Sequence, residues 1–342
     1  MSRCFFRCSY EVVQLGHLNQ PDGLEFRFDD PRPRVVRLLH SYWDGQKPAD
    51  SASAVCLGET EEETVDEKMA SEIKLAFSTP SDGELVTPNQ LDPRTVEFLY
   101  GTLDGLFKAM VSTVSIFRWR CGLAEGPPNP ARNLRGYFSH DSKSWRALPM
   151  TRSLRISWGI PWALPPADVI RKEVAGLVTS GTEEPLGRQL FREAWDQRRE
   201  RPRSALVIGV AAAEVGFKKL VGTLVPEAQW LMDEIQTPPL GKMLRKFLPT
   251  LPVRCKFESK SIRPPEALLK QLDKAVECRN KVVHTGQPPP NTDDLDNMLR
   301  AVSDFLWICD AYGGQGWALQ NISGTTLKDW PGGPSLNWLS LG

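Results

Sequence analysis

Arg279, Asn280 and His284 stand close together, and Gly286 with Pro288, Pro289 and Pro290 ends the segment that carries them. An arginine presents a planar fork of donors that holds and neutralises phosphate oxygens. A histidine moves a proton near neutral pH. Together they suit phosphodiester chemistry. The upstream spacing asks for a helix. Leu268, Leu272, Ala275 and Arg279 follow one another at four- and three-residue steps and form one helical stripe. Arg279 therefore continues an apolar face, where an arginine is costly unless it is paired. Asn280 and His284 share a flank. His284 falls in the last turn before the glycine, where the negative end of the helix favours imidazolium.

The elements that must position this segment follow from the pattern around it. The motif helix is predicted over about 265–284, and a last helix over 293–312, capped by Asn291 or Thr292. Ser204 to Leu224 reads as the longest apolar helix, narrowed by Ala211, Ala212 and Ala213. Its stripe of Val207, Val210, Phe217 or Lys218, and Val221 also carries Glu214. That carboxylate either meets Arg279, the other charge stranded on an apolar face, or points to water at the bundle edge. Helices are also predicted over 168–178, 186–199 and, shorter, 238–248. The charged run from Asp196 to Arg203 reads as a solvated helix end and loop. Residues 251–262 read as irregular, and Arg254, Lys256 and Lys260 within them form either an RNA-binding rim or plain surface.

The segment Arg279-Asn280-Lys281-Val282-Val283-His284 resembles the signature of the HEPN superfamily (higher eukaryotes and prokaryotes nucleotide-binding domains). That signature is an arginine, a polar residue directly after it, and a histidine four to six residues from the arginine. The likeness spans about residues 185–312 and includes the helix order and the small-residue helix bearing Glu214. It implies a helical, mostly dimeric domain and a metal-independent endoribonuclease that needs no cofactor. On that pattern His284 is general base or acid and Arg279 stabilises the phosphorane. Asn280 positions phosphate or imidazole, Glu214 pairs with Arg279, and Lys281 steers RNA. The product would be a 2′,3′-cyclic phosphate, which restricts the substrate to RNA. The resemblance further implies a homodimer through the motif helix, an antitoxin or regulatory partner, and a toxin or antiviral role. Other members have lost catalysis, so the alternative is an inert RNA-binding or protein-interaction module.

The N-terminal half reads as a mixed, strand-rich domain over 1–160. Residues 161–184 read as a connector, 185–312 as the helical domain and 313–342 as a Gly/Trp/Pro-rich tail with short strands near 317–322, giving an α+β chain. Strands are predicted at 10–15, 24–28 and 72–77, a strand or short helix at 34–43, and strand-like segments around Tyr137, Trp145 and 154–158 close the domain. Glu59 to Glu67 reads as a solvated loop or helix start. A helix opens at Asp92-Pro93, with Val96, Leu99, Leu103, Leu106 and Met110 on one face. The run Phe117-Arg118-Trp119-Arg120 reads as a strand with core aromatics and a solvated basic side, or as a nucleic-acid surface. His140-Asp141-Ser142 has the residue types of a hydrolytic triad, but triad members normally come from distant segments.

Composition narrows the classes. A formal net charge of zero excludes a globally basic nucleic-acid binder but leaves room for a local basic site. The seven scattered cysteines and four histidines form no metal-ligand spacing and read as free thiols of a reducing cytosol. No apolar run is long enough to span a bilayer, and the polar start is too short for a signal peptide. The expected location is the cytoplasm.

Overall fold

The computed structural model describes residues 3–12, 23–28, 33–39, 54–63, 66–75, 91–123, 131–148, 167–236, 238–254 and 263–330. The chain divides into two compact units, Met1–Glu183 and Glu184–Gly342. The first carries an antiparallel sheet and the second is helical, an α+β chain.

The first unit holds six strands: β1 (Arg3–Val12), β2 (Leu24–Phe28), β3 (Arg34–Leu39), β4 (Ala54–Glu63), β5 (Ala131–Ser139) and β6 (Arg146–Leu148), in the order β2-β3-β4-β1-β5-β6. Three helices complete it: α1 (Glu67–Leu75), α2 (Pro93–Arg120) and α3 (Ala167–Thr179). Period-two alternation turns Phe6, Cys8, Tyr10, Leu24, Phe26 and Phe28 to one buried face. Tyr10 and Phe26 meet Phe107 and Phe117 of α2 edge-on. Asp92 caps α2 by accepting from the Arg94 amide, with Pro93 in the first turn.

Three expectations are corrected in this unit. Residues 67–75 are a helix rather than part of a strand, because Met69, Ala70 and Ile73 bury a helical stripe. The acidic run from Glu59 lies in β4 through Glu63 rather than in a solvated loop, and Glu67 at its end opens α1, as the helix-start alternative had it. Its Glu59 accepts from Arg7 and Arg37, and Glu61 meets Arg3, so cross-strand pairing supports the acids there. Phe117 to Arg120 form the end of α2, not a strand or an open basic surface, and Arg118 and Arg120 are almost fully buried. Residues 13–15, 40–43 and 76–77 and the strand-like segment at 154–158 lie outside the described residues.

The second unit is a bundle of α4 (Leu186–Gln197), α5 (Pro202–Leu224), α8 (Glu266–Thr285) and α9 (Thr292–Tyr312). Between α5 and α8 lie the short α6 (Gln229–Glu234) and α7 (Leu240–Lys242), the latter continuing through single π and 3-10 turns to Thr250. Glycines let α5 approach α9. A Cβ on Gly209 would strike Leu299, and one on Gly216 would strike Leu306. These two close approaches show that α5 and α9 run parallel. Asn291 caps α9, accepting from the Asp294 amide.

The tail region is also corrected. Residues 316–321 form a 3-10 turn instead of strands, followed by α10 (Gly324–Lys328). Asp304, buried on α9, accepts from the Ser323 amide, the Ser323 hydroxyl and the Thr326 hydroxyl, and so ties this turn to the bundle. Six cysteines are free, five of them buried, and Cys255 lies outside the described residues. Among the described residues no helix is long and apolar enough to cross a membrane.

Candidate functional site

Helix α8 presents the Arg-Asn-His segment at its C-terminal end. Leu268, Leu272, Ala275 and Val282 bury the stripe that seats the helix on the bundle. Gly286 then takes a left-handed conformation, φ 69°, which stops the helix directly after its last turn. The prolines that follow keep it from resuming.

Arg279 sits on the same stripe and meets Glu214 of α5, Nη2 to Oε1 at 2.6 Å. Both side chains are largely covered, at 16% and 12% exposure. The neighbours Ala212, Ala213, Gly216 and Phe217 bury α5 around the glutamate. Burial raises the Glu214 carboxyl above its ordinary range, and the nearby Arg279 and Lys218 charges only partly oppose that. The Arg279 Nε–H is buried and has no hydrogen-bond partner among the described residues.

Asn280 and His284 are exposed, and neither has a hydrogen-bond or ion-pair partner among the described residues. Val283, between them and the arginine around the helix, is 51% exposed, one of few large apolar side chains left open. Lys281 is exposed and holds Glu277 one turn back at 2.6 Å. At about 100° per residue, His284 is turned about 140° from Arg279. One chain therefore aims the guanidinium at α5 and the imidazole outward.

The predicted RNA-binding rim separates from this site. Arg254 donates to the Thr223 carbonyl at the C-terminal end of α5, and its amide donates to Tyr312 at the end of α9. On α8, Arg279 meets Glu214 midway along α5 and Lys274 meets Asp294 near the start of α9. Arg254 thus stands at the C-terminal ends of α5 and α9, whereas the helix carrying His284 leads through residues 286–291 into the N-terminal end of α9. Lys256 and Lys260 lie outside the described residues.

The other sequence candidates resolve into structure. Asp141 accepts from the amides of Ser144 and Lys143 and from the Ser139 hydroxyl in the turn joining β5 to β6, which holds its carboxyl down to about 2. That turn supplies no nucleophile–base pair. Among the described residues no group of three or more His, Cys, Asp and Glu side chains stands together as metal ligands would. No family model, curated protein or solved structure matches this chain.

Proposed function

We propose that the helical unit is a metal-independent endoribonuclease of the HEPN type, acting as a dimer on RNA. The observation that carries the reading is the Arg279–Glu214 pair at 2.6 Å, set beside the open Asn280 and His284 at a helix end stopped by Gly286. A guanidinium oriented by a buried carboxylate is a preorganised donor, and such donors act most strongly where charge develops.

In this mechanism His284 takes the proton of a ribose 2′-OH. The freed oxygen attacks the adjacent phosphorus, the P–O5′ bond breaks, and a 2′,3′-cyclic phosphate and a 5′-OH result. Arg279 stabilises the phosphorane oxygens, and Asn280 orients a phosphate oxygen or the imidazole. The leaving 5′-oxygen needs a proton from a second acid. Because Arg279 and His284 face different ways on one helix, a second copy of α8 supplies the missing partners. The open Val283 gives that two-fold contact an apolar centre. A toxin or antiviral role in the cytoplasm, restrained by an antitoxin or other regulator, fits this activity, with the first unit as sensor or substrate selector.

The rival reading is an inert RNA-binding or protein-interaction module, favoured by one observation: Glu214 already occupies one Arg279 amine. Labelled single-stranded RNA incubated with purified protein in EDTA separates the two. Cleavage that disappears in both Arg279→Ala and His284→Ala supports the ribonuclease. Binding without cleavage in all three proteins supports the module.

A further inference from the structure

The bundle commits most of its arginines. Arg188, Arg192, Arg245, Arg263 and Arg279 each meet a carboxylate, and Arg254 meets a carbonyl. The exception is the corner where α4 turns into α5. Residues 196–203 hold four arginines against Asp196 and Glu200. Arg198 and Arg199 both reach Asp296 of α9, and the Arg198 guanidinium lies 3.9 Å from the centre of the Trp195 ring. Arg201, Arg203 and Arg300, one turn beyond Asp296, are exposed and have no ion-pair partner among the described residues. Exposed guanidiniums without an acid keep their full donor set for an incoming anion.

The position of this corner gives it meaning. Because α5 and α9 run parallel, the α4–α5 turn and the α8–α9 loop close the same end of the bundle. The helix bearing His284 is joined to the start of α9, at that end, by residues 286–291. The opposite end carries Arg254, whose guanidinium is already engaged.

We infer that the α4–α5 corner, through Arg201, Arg203 and Arg300, is the phosphate-binding surface along which a single-stranded RNA runs to the α8 terminus. Arg198 and Arg199, fixed on Asp296, form its floor. The inference rests on the ribonuclease reading and names where that substrate lies.

Its test measures binding rather than cleavage, so the two can fail separately. The parent is the full chain carrying His284→Ala, titrated with a labelled single-stranded RNA from 50 to about 300 mM salt. Arg201→Gln, Arg203→Gln and Arg300→Gln are added together. The control removes three exposed lysines from elsewhere that have no ion-pair partner among the described residues, Lys242→Gln, Lys246→Gln and Lys270→Gln. Removing one phosphate-neutralising cation lowers the log–log salt slope by about 0.7, so the arginine variant should be shallower by about 2 and the control unchanged. Equal slopes for parent and arginine variant overturn the inference, as does an equal loss in the control. No measurable RNA binding by the parent overturns it too. Cleavage lost in Arg279→Ala with the corner slope unchanged would leave the ribonuclease standing and the corner refuted.

Discussion

Of the arginine–glutamate pairs that bridge helix to helix in this protein, two differ sharply in what surrounds them. In the first unit Arg120 of α2 meets Glu173 of α3, and the arginine is almost fully buried beside Phe117 and Trp119. In the second, Arg279 of α8 meets Glu214 of α5 and keeps one buried donor unoccupied. Beyond Arg120 the chain turns into buried Cys121. Beyond Arg279 come exposed Asn280, Lys281, Val283 and His284. The same residue types thus close one helix end and open the other. Pairing by itself says nothing of function; the chemistry of the next turn does.

The sharpest way to break this contrast is to delete each member and read both cleavage and stability. His284→Ala should reduce RNA cleavage by about 10²–10⁴-fold, the range for a lost general acid–base. Its melting temperature should not move, since the side chain is exposed. Arg279→Ala should fall at least as far in cleavage. Arg120→Ala should do the reverse, leaving cleavage intact and costing about 2–3 kcal/mol in urea unfolding through a lost buried pair and lost packing. Cleavage lost in Arg120→Ala at full stability would remove the distinction between the two pairs.

Glu214 sharpens the contrast through pH. Its folded pKa lies above the ordinary carboxyl value of 4.5. Its contribution to stability is therefore full below about 4.5 and is lost as pH rises through the raised value. Glu214→Gln should flatten that loss in unfolding curves taken from pH 4 to 7. It should also lower cleavage about tenfold, the effect of a charged hydrogen bond becoming neutral, about 1.4 kcal/mol. A variant with unchanged pH dependence and unchanged cleavage would make the pair incidental.

Smaller effects probe the helix end itself. Gly286→Ala places a side chain at φ 69° and should cost about 1 kcal/mol by thermal unfolding, with a modest drop in cleavage. Lys281→Ala should leave the melting temperature alone, because its pair with Glu277 is fully solvated. It should weaken RNA binding slightly at low salt and not at high salt, as a steering charge does.

Much of the helical unit was legible because apolar periodicity, caps and breakers are local. The stripe Leu268, Leu272, Ala275 placed Arg279, and Gly286 with its prolines placed the stop. Two stranded charges on apolar faces, Glu214 and Arg279, pointed to each other across 65 residues. The sheet was less legible. Glu59 and Glu61 look like loop residues until their cross-strand arginines are known, and the Arg-Trp-Arg run looks like a surface until α2 buries it. The corner arginines read as a solvated run, since no local signal tells an exposed arginine with a partner from one without.

The sequence by itself determined where the four long helices of the second unit lie, where the Arg-Asn-His segment sits on one of them, and that Arg279 needed a carboxylate. Only the tertiary structure decided that Asn280 and His284 stay open, that Arg254 is engaged by the Thr223 carbonyl at the end of α5, and that Arg201, Arg203 and Arg300 have no ion-pair partner among the described residues. The reason is physical. Helix formation and capping depend on neighbours within a turn or so, whereas exposure and ion pairing depend on which distant segments arrive.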